Sequence, residues 1–146
     1  MKRTTLDILH VDDDANDRML LKSACRQTNV VANCDTVADG EQAIAYLAGE
    51  NIYAERRLYP LPGVVLLDLK MPMKGGFEVL QWIRSQPNLK YLPVIIFTAS
   101  KQDVDVKHAY DLGANAYVVK PNNMAGLVEA IRIIKAFWIT FNETPD

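Results

Sequence analysis

The fold is decided by the stretch Val64-Val65-Leu66-Leu67-Asp68-Leu69-Lys70-Met71-Pro72. Its four leading apolar residues predict a strand that is buried on both faces, as in a parallel sheet. Asp68 ends that strand, and Pro72 opposes its continuation. Open α/β sheets bind ligands at the carboxyl ends of such strands, although an isolated aspartate there more often only begins a turn. The function of Asp68 therefore depends on which other polar residues reach it.

The rest of the chain alternates between strand-like and helix-like segments. Four more strands are predicted at residues 6–11, 32–37, 94–97 and 116–119. Helices are predicted after each strand: one capped by Asp14 or Asn16 and running to about Thr28, one between Asp39 and Gly49, one after Gly75-Gly76, one over 102–112 and one over 123–138. On the first helix we expect Met19, Leu20, Ala24 and Cys25 to face inward.

This alternation predicts an α/β fold with a parallel, doubly wound sheet. For five strands, the flavodoxin-like order 2-1-3-4-5 is expected. The 146 residues are enough for one domain, because we find no repeat, linker or low-complexity segment. We therefore expect a single domain over residues 1–146, with its core at about 5–137 and a C-terminal tail at 138–146.

Composition limits the partners that the chain can have. Acidic and basic residues are interspersed and the net charge is −2, so there is no basic footprint for nucleic acid. No apolar run approaches the roughly 20 residues of a membrane span, and Met1-Lys2-Arg3 is not followed by a signal-peptide core. We expect a cytoplasmic protein without nucleic-acid or membrane partners.

Five residues that could bind a metal or take part in chemistry are interpreted as structural. Cys25 and Cys34 have no metal-ligand spacing, so we expect reduced core thiols. Asp14 is expected to cap a helix rather than bind metal. His10 lies in a buried strand and His108 on a surface helix, where a lone histidine is usually structural.

Polar residues stand at the carboxyl ends of four of the five predicted strands. They are Asp12 and Asp13, Asp68, Thr98 and Lys120. Three carboxylates this close repel one another and suit Mg²⁺, which takes one or two carboxylates plus water and phosphate oxygens. Lys120 and Thr98 can pair with phosphoryl oxygens. Together these groups are the parts needed to phosphorylate an aspartate.

Four ordered motifs give the chain a family resemblance. The segments Val11-Asp12-Asp13, Leu66–Pro72, Phe97-Thr98-Ala99 and Tyr117–Pro121 resemble the response-regulator receiver domain of two-component signalling. The resemblance covers about residues 5–137. It implies a phosphorylatable signalling switch rather than an enzyme with its own substrate. Gly75-Gly76 departs from the family, which often has an acidic residue before the glycine, and the loop over 51–63 is longer than usual.

The resemblance also implies a role for each site residue. Asp68 would be the phosphoacceptor, and Mg²⁺ would be held by Asp13 directly, by Asp12 largely through water, by Asp68 and by the backbone carbonyl of Lys70. Thr98 and Lys120 would bind the phosphoryl group, and Tyr117 would be the aromatic switch that turns inward when Thr98 moves.

Within the family, the chain is most similar to stand-alone receivers that partner bacterial phytochrome-type histidine kinases. The similar segments are Ser85–Lys90, Tyr110-Asp111-Leu112 and Phe137-Trp138. This likeness implies such a histidine kinase as partner. It also implies a homodimer formed through the last two helices and the fifth strand.

The last helix has two apolar stripes at helical spacing. One consists of Met124, Leu127, Ile131 and Ile134, and the other of Ala130, Ile133, Phe137 and Phe141. A helix that is apolar on two faces is either unusually buried or covered by a partner. The second stripe can pack under the chain's own C-terminal tail or against another molecule.

Two further functions are weighed against the receiver interpretation. Asp12-x-Asp14 resembles the motif of aspartate-nucleophile phosphatases, but Asn16 stands where those enzymes have Thr or Val, and no cap domain is visible. A degenerate receiver that acts only by docking would usually lack the acceptor aspartate or the lysine, and both Asp68 and Lys120 are present.

Overall fold

The computed structural model describes residues 6–28 and 31–141, which contain one five-stranded parallel sheet. The sheet order is β2-β1-β3-β4-β5, so the predicted flavodoxin-like order 2-1-3-4-5 is confirmed. The strands are β1 (Leu6–Val11), β2 (Val31–Val37), β3 (Val64–Leu67), β4 (Val94–Thr98) and β5 (Ala116–Val119).

A helix follows each strand, as the alternating pattern predicts. The helices are α1 (Ala15–Thr28), α2 (Gly40–Ala48), α3 (Gly76–Ser85), α4 (Asp103–Asp111) and α5 (Met124–Lys135). Instead of ending near residue 138, the last helix passes directly into a π-helical segment, Ala136–Phe141. Among the described residues, no helix combines the length and apolarity that a bilayer crossing requires.

Side-chain alternation along β3 divides the core into two layers. Val65 and Leu67 pack with α2, α3 and α4 on one face of the sheet, whereas Val64 and Leu66 pack with α1 and α5 on the other. All four side chains are fully buried, and burial of such a side chain stabilises the fold by about 1.5–3 kcal/mol. This double burial explains why the stretch is continuously apolar.

The buried face of α1 contains the expected Ala24 and Cys25 but not Met19. Met19 is 61% exposed, whereas Leu21 is 1% exposed and Ala24 is fully buried. Residues two positions apart on a helix point in directions that differ by about 200°, so Met19 and Leu21 cannot share a face. The prediction that Met19 faces inward is wrong because the helix orients the stripe containing Leu21, Ala24 and Cys25 toward the sheet.

Local capping residues set the helix ends. The Asp14 carboxylate accepts hydrogen bonds from the amides of Asn16 and Asp17 at the start of α1, so Asp14 rather than Asn16 is the cap. Asp39 caps α2 through the Gln42 amide, and Gly49 ends that helix with φ +72°. A left-handed backbone of this kind favours glycine.

The long 51–63 connection is fixed to the body of the domain. It begins with a 3₁₀ turn, Asn51–Ala54, and the rings of Tyr53 and Tyr59 contact Tyr46 of α2. The Arg56 guanidinium donates to the carbonyls of Tyr46 and Leu47 at the end of α2. The loop therefore delivers the chain to β3 by a defined route.

Candidate functional site

The sheet brings the ends of β1 and β3 side by side. Val11 is in register with Leu67, so Asp12 and Asp68 leave their strands at the same level. The Asp68 amide donates to the Val11 carbonyl at 3.0 Å, and the Asp12 amide donates to the Val37 carbonyl at 3.1 Å. These main-chain bonds fix both carboxylates at the switch point of the sheet, where such folds bind ligands.

Three carboxylates converge there, as the sequence predicts. Asp12, Asp13 and Asp68 each offer an oxygen atom, and these atoms lie within 4.8 Å of one another. Asp12 is fully buried and Asp68 is 7% exposed, whereas Asp13 is exposed. Hard oxygen donors of which one faces solvent fit a cation such as Mg²⁺, which keeps several waters. This acid cluster, Asp12, Asp13 and Asp68, could hold one divalent ion.

The loop after β3 curls back on the Asp68 side chain. The Lys70 amide lies 3.4 Å from Asp68 Oδ1, so the main chain of Lys70 lies beside the carboxylate. Gly76 backs the same strand end, because a Cβ atom at this position would lie 2.2 Å from the Asp68 carbonyl oxygen. The second glycine of Gly75-Gly76 therefore allows α3 to begin directly behind Asp68.

Lys120 reaches the acid cluster from the end of β5. Its amide donates to the Thr98 carbonyl at 2.8 Å, which places the side chain beside the end of β4. The ammonium nitrogen lies 2.6 Å from Asp12 Oδ2, 3.0 Å from Asp68 Oδ2 and 2.9 Å from Asp17 Oδ2. Burial would lower the pKa of Lys120, but its hydrogen bonds to the three carboxylates outweigh burial and raise it.

The contact with Asp17 is the part of the site that sequence reasoning missed. Asp17 lies in the first turn of α1, and its carboxylate is partly exposed. The available signal was that α1 starts at the same edge of the sheet as the acid cluster. An acidic residue in a first turn is also common for reasons of helix polarity alone, so the pattern did not single it out.

The charge of Lys120 and the polar surroundings also keep Asp12 ionised. Burial would raise the pKa of the Asp12 carboxyl, but the adjacent His10 imidazole, the Lys120 ammonium and the Asp14 amide outweigh burial and lower it to about 2. His10 Nε2 lies 3.5 Å from Asp12 Oδ2, and the Asp14 amide donates to Asp12 Oδ1 at 2.9 Å. The Asp12 carboxyl is therefore ionised at neutral and at mildly acidic pH.

Thr98 ends β4, and Tyr117 lies in the neighbouring strand β5. Thr98 is 2% exposed at the end of β4. A cavity of about 510 Å³ is lined by residues of β3, β4 and the loops that follow them: Asp68, Lys70, Thr98, Ala99, Ser100, Lys101 and Gln102. The Tyr117 hydroxyl donates to the Ser100 carbonyl at 3.0 Å, and burial raises the pKa of Tyr117. The phenol is thereby attached to the loop that follows β4.

The two histidines and Asp14 lie where a structural role was expected. The His108 ring packs edge-on against Phe77, with centroids 4.4 Å apart, and His10 contacts Phe97 in the same way at 6.2 Å. One oxygen of Asp14 is engaged in capping α1. Asp14 therefore caps the helix, as expected.

The fold and this arrangement of carboxylates around a lysine define a signalling domain of the receiver class. Comparison with known families agrees, because the family model described as the response regulator receiver domain matches residues 8–132. The chain belongs to that family.

Individual relatives cover almost the whole chain. The response regulator Rcp1 of Synechocystis sp. is 33% identical over 132 residues, which are 90% of this chain and 88% of Rcp1. The structure of the phosphorylated cyanobacterial phytochrome response regulator RcpA is 36% identical, with a TM-score of 0.86 over 97% of this chain and 99% of RcpA. The Mn²⁺-bound form of Rcp1 is 32% identical, with a TM-score of 0.82 and the same coverage of 97% and 99%. The predicted similarity to phytochrome response regulators is confirmed.

Proposed function

We propose that Asp68 accepts a phosphoryl group from the phosphohistidine of a partner histidine kinase. A carboxylate oxygen of Asp68 attacks phosphorus, the P–N bond breaks, and the kinase histidine leaves as the neutral imidazole after taking a proton. The observation that carries this proposal is the 3.0 Å contact between the Lys120 ammonium and Asp68 Oδ2, because it places a cation beside the oxygen that would carry the phosphoryl group.

The acid cluster supports a Mg²⁺ site beside the acceptor. Asp13 would bind the ion directly and Asp12 largely through water, and Asp68 and the Lys70 carbonyl would complete the protein ligands. Bound Mg²⁺ would supply positive charge to the phosphoryl oxygens. Asp12 meanwhile holds Lys120 at 2.6 Å, so it orients the ammonium as well as the metal site.

Thr98, Lys120 and Tyr117 would translate phosphorylation into a change of surface. An aspartyl phosphate adds about −1.5 to −2 charges at neutral pH. The Thr98 hydroxyl and the Lys120 ammonium follow that charge, and Tyr117, attached to the loop after β4 through Ser100, turns inward as Thr98 moves. The loops after β3 and β4 would then exchange between two populated states.

The similarity to the response regulators Rcp1 and RcpA supports a phytochrome-type histidine kinase as the phosphodonor, acting in the cytoplasm. RcpA is itself a phytochrome response regulator, and it matches nearly the full length of this chain. The transfer from a small phosphodonor would need no kinase, since the attacking carboxylate, the lysine and the metal ligands all belong to the receiver.

Homodimerisation through α4, β5 and α5 is the second part of the proposal. These elements expose apolar side chains: Val104 is 68% exposed, Tyr110 49%, Val119 36%, Ile133 58% and Phe137 44%. Of the two stripes on the last helix, Leu127, Ile131 and Ile134 are buried against the sheet. Ile133 and Phe137 of the second stripe remain free to meet a partner, while the Phe141 side chain and the tail over 142–146 lie outside the described residues.

The acceptor assignment is tested with acetyl phosphate and Mg²⁺. The wild-type chain is expected to gain one acid-labile, hydroxylamine-sensitive phosphoryl group, and Asp68→Asn is expected to gain none. Asp103→Asn on α4 is the matched control, because it removes an exposed carboxylate outside the acid cluster. Equal labelling of Asp68→Asn would refute the proposal, and continuous phosphate release through Asp12 would favour a phosphatase instead.

A further inference from the structure

Two cysteines form a close pair at the opposite end of α1 from the acid cluster. Cys25 lies near the end of α1 and Cys34 lies in β2, and their sulfur atoms are 3.3 Å apart. Both are free thiols. Cys25 is 3% exposed, whereas Cys34 is partly exposed. Neither thiol contributes to the phosphoryl site, so their proximity requires a separate explanation.

The two sulfur atoms would have to move only a short distance to form a disulfide. A disulfide joins its sulfurs at about 2.05 Å, so the sulfur atoms must approach by only about 1.2 Å. The two residues are nine positions apart and lie on neighbouring elements, α1 and the edge strand β2.

The two thiols differ in reactivity. The Cys25 thiol donates to Cys34 Sγ; this bond lowers the pKa of Cys34, and the nearby Lys22 charge acts in the same direction. The same bond, followed by burial, raises the pKa of Cys25. Since the thiolate is the nucleophile, Cys34 is the thiol that would react first, and it is also the more accessible of the two.

We propose that Cys25 and Cys34 form a redox modification site that low-molecular-weight disulfides oxidise to an intramolecular disulfide. The Cys34 thiolate attacks one sulfur of the small disulfide and releases one thiolate, leaving a mixed disulfide on Cys34. Cys25 then loses its proton to solvent and attacks Cys34 Sγ, forming the Cys25–Cys34 bond and releasing the second small thiolate. Two protein thiols are oxidised while one small disulfide is reduced to two thiols.

The bond would join two elements that also support the phosphoryl site. The first turn of α1 carries Asp17, which contacts Lys120. The last residue of β2, Val37, accepts the hydrogen bond from the Asp12 amide. Oxidation would therefore restrain both supports, near the end of α1 and in the middle of β2, without touching the acid cluster. We expect the oxidised chain to resist thermal unfolding better than the reduced chain, because the cross-link restricts the unfolded state.

The test uses the full chain, first reduced and then incubated with oxidised glutathione. Trypsin cleaves after Lys22 and Arg26, so Cys25 and Cys34 fall into different peptides that only a disulfide can join. Non-reducing mass spectrometry is expected to find these two peptides linked in a monomeric protein that retains no glutathione. Cys25→Ser is expected to trap glutathione on Cys34, and Cys34→Ser is expected to react at least about tenfold more slowly.

Three outcomes of this experiment would overturn the proposal. Under the same conditions, a guanidinium-unfolded sample shows the rate at which the unrestrained thiols react. If the folded wild-type chain keeps both thiols free while the unfolded sample is oxidised, the pair is inert. Stable glutathione adducts on the wild-type chain, or a disulfide between two chains, would also refute an intramolecular bond. None of these readouts depends on phosphorylation of Asp68.

Discussion

The ammonium nitrogen of Lys120 lies 2.9 Å from a carboxylate oxygen of Asp17. This contact links the end of β5 to the first turn of α1, and the same nitrogen also bridges Asp12 and Asp68. Lys120 thus divides its charge among three carboxylates before any phosphoryl group arrives. Asp17 therefore shares with Asp68, the proposed acceptor, the cation that would pair with a phosphoryl group.

Asp17→Asn is expected to strengthen binding of a phosphoryl mimic. Removal of one competing charge leaves Lys120 freer to pair with beryllofluoride on Asp68. A partly exposed ion pair is worth about 0.2–1 kcal/mol, which corresponds to an affinity gain of up to about fivefold. Calorimetric titration of the Mg²⁺-loaded chain with beryllofluoride measures the change.

Glu41→Gln is the matched control for Asp17→Asn. Glu41 is an exposed acid in the first turn of α2, so its replacement removes a similar charge from a helix start without changing the surroundings of Lys120. Its beryllofluoride affinity is expected to equal that of the wild type. An unchanged affinity in Asp17→Asn would show that Asp17 does not compete for Lys120, and a weaker affinity would show that Asp17 supports the phosphorylated state.

Gly76→Ala is expected to disturb Asp68 through its main chain. The added Cβ would lie 2.2 Å from the Asp68 carbonyl oxygen and 2.8 Å from Leu69 Cα. Because both neighbours are backbone atoms, the strand end must shift, and overpacking of this kind costs about 1–3 kcal/mol. We expect a lower free energy of unfolding in urea and slower phosphorylation by acetyl phosphate.

Gly75→Ala provides the comparison at the preceding position. Its Cβ would meet only the Leu69 carbonyl oxygen, at 3.3 Å, and the backbone φ of −76° is accessible to alanine. This variant should lose less stability than Gly76→Ala, because its nearest backbone contact is longer. If both alanine variants lose the same stability, the cause is the flexibility of the glycine pair and not the close approach to Asp68.

The difference between the Asp12 pKa in the folded and unfolded chain predicts an acid-dependent loss of stability. The folded value is lowered to about 2 from the ordinary 3.8, so the ionised carboxylate stabilises the fold above about pH 4. That stability, about 2 kcal/mol, is lost as the pH falls from about 4 to about 2. Urea unfolding of the metal-free chain across this range measures it.

Lys120→Met tests how much of this acid-dependent loss of stability comes from the lysine. The variant lacks the ammonium that lies 2.6 Å from Asp12, so its Asp12 pKa is less depressed and its stability should fall less steeply below pH 4. The difference in unfolding free energy between wild type and variant is expected to narrow toward pH 2. Parallel pH profiles would mean that Lys120 does not hold the Asp12 charge.

The sequence was sufficient for the strand order and for most of the acid cluster. Buried parallel strands are apolar on both faces, and their carboxyl ends share one edge, so Asp12, Asp68 and Lys120 could be brought together without coordinates. The contact between Lys120 and Asp17 could not, because it depends on where one flexible side chain settles among several acids. A periodic pattern carries no information on such a choice.

Helix orientation and side-chain contacts between elements were the other points beyond sequence reasoning. Met19 and Leu21 are both apolar, and only the packing of α1 against the sheet decides that Leu21 is buried. The 3.3 Å contact between Cys25 and Cys34 likewise follows from the way α1 lies along β2. Their spacing in the sequence matched no metal-ligand motif and indicated only two reduced core thiols.

Ile133→Glu is expected to weaken the proposed homodimer. Ile133 is 58% exposed on α5, so a charge there leaves the monomer fold intact but becomes unfavourable when a partner covers it. At a concentration where the wild type sediments as a dimer, the variant should sediment as a monomer with unchanged helical content. Met19→Glu on α1, outside the proposed interface, is the control because Met19 is similarly exposed at 61%. A dimer that survives in Ile133→Glu but dissociates in Met19→Glu would move the interface to α1, since only the covered helix face would respond to a buried charge.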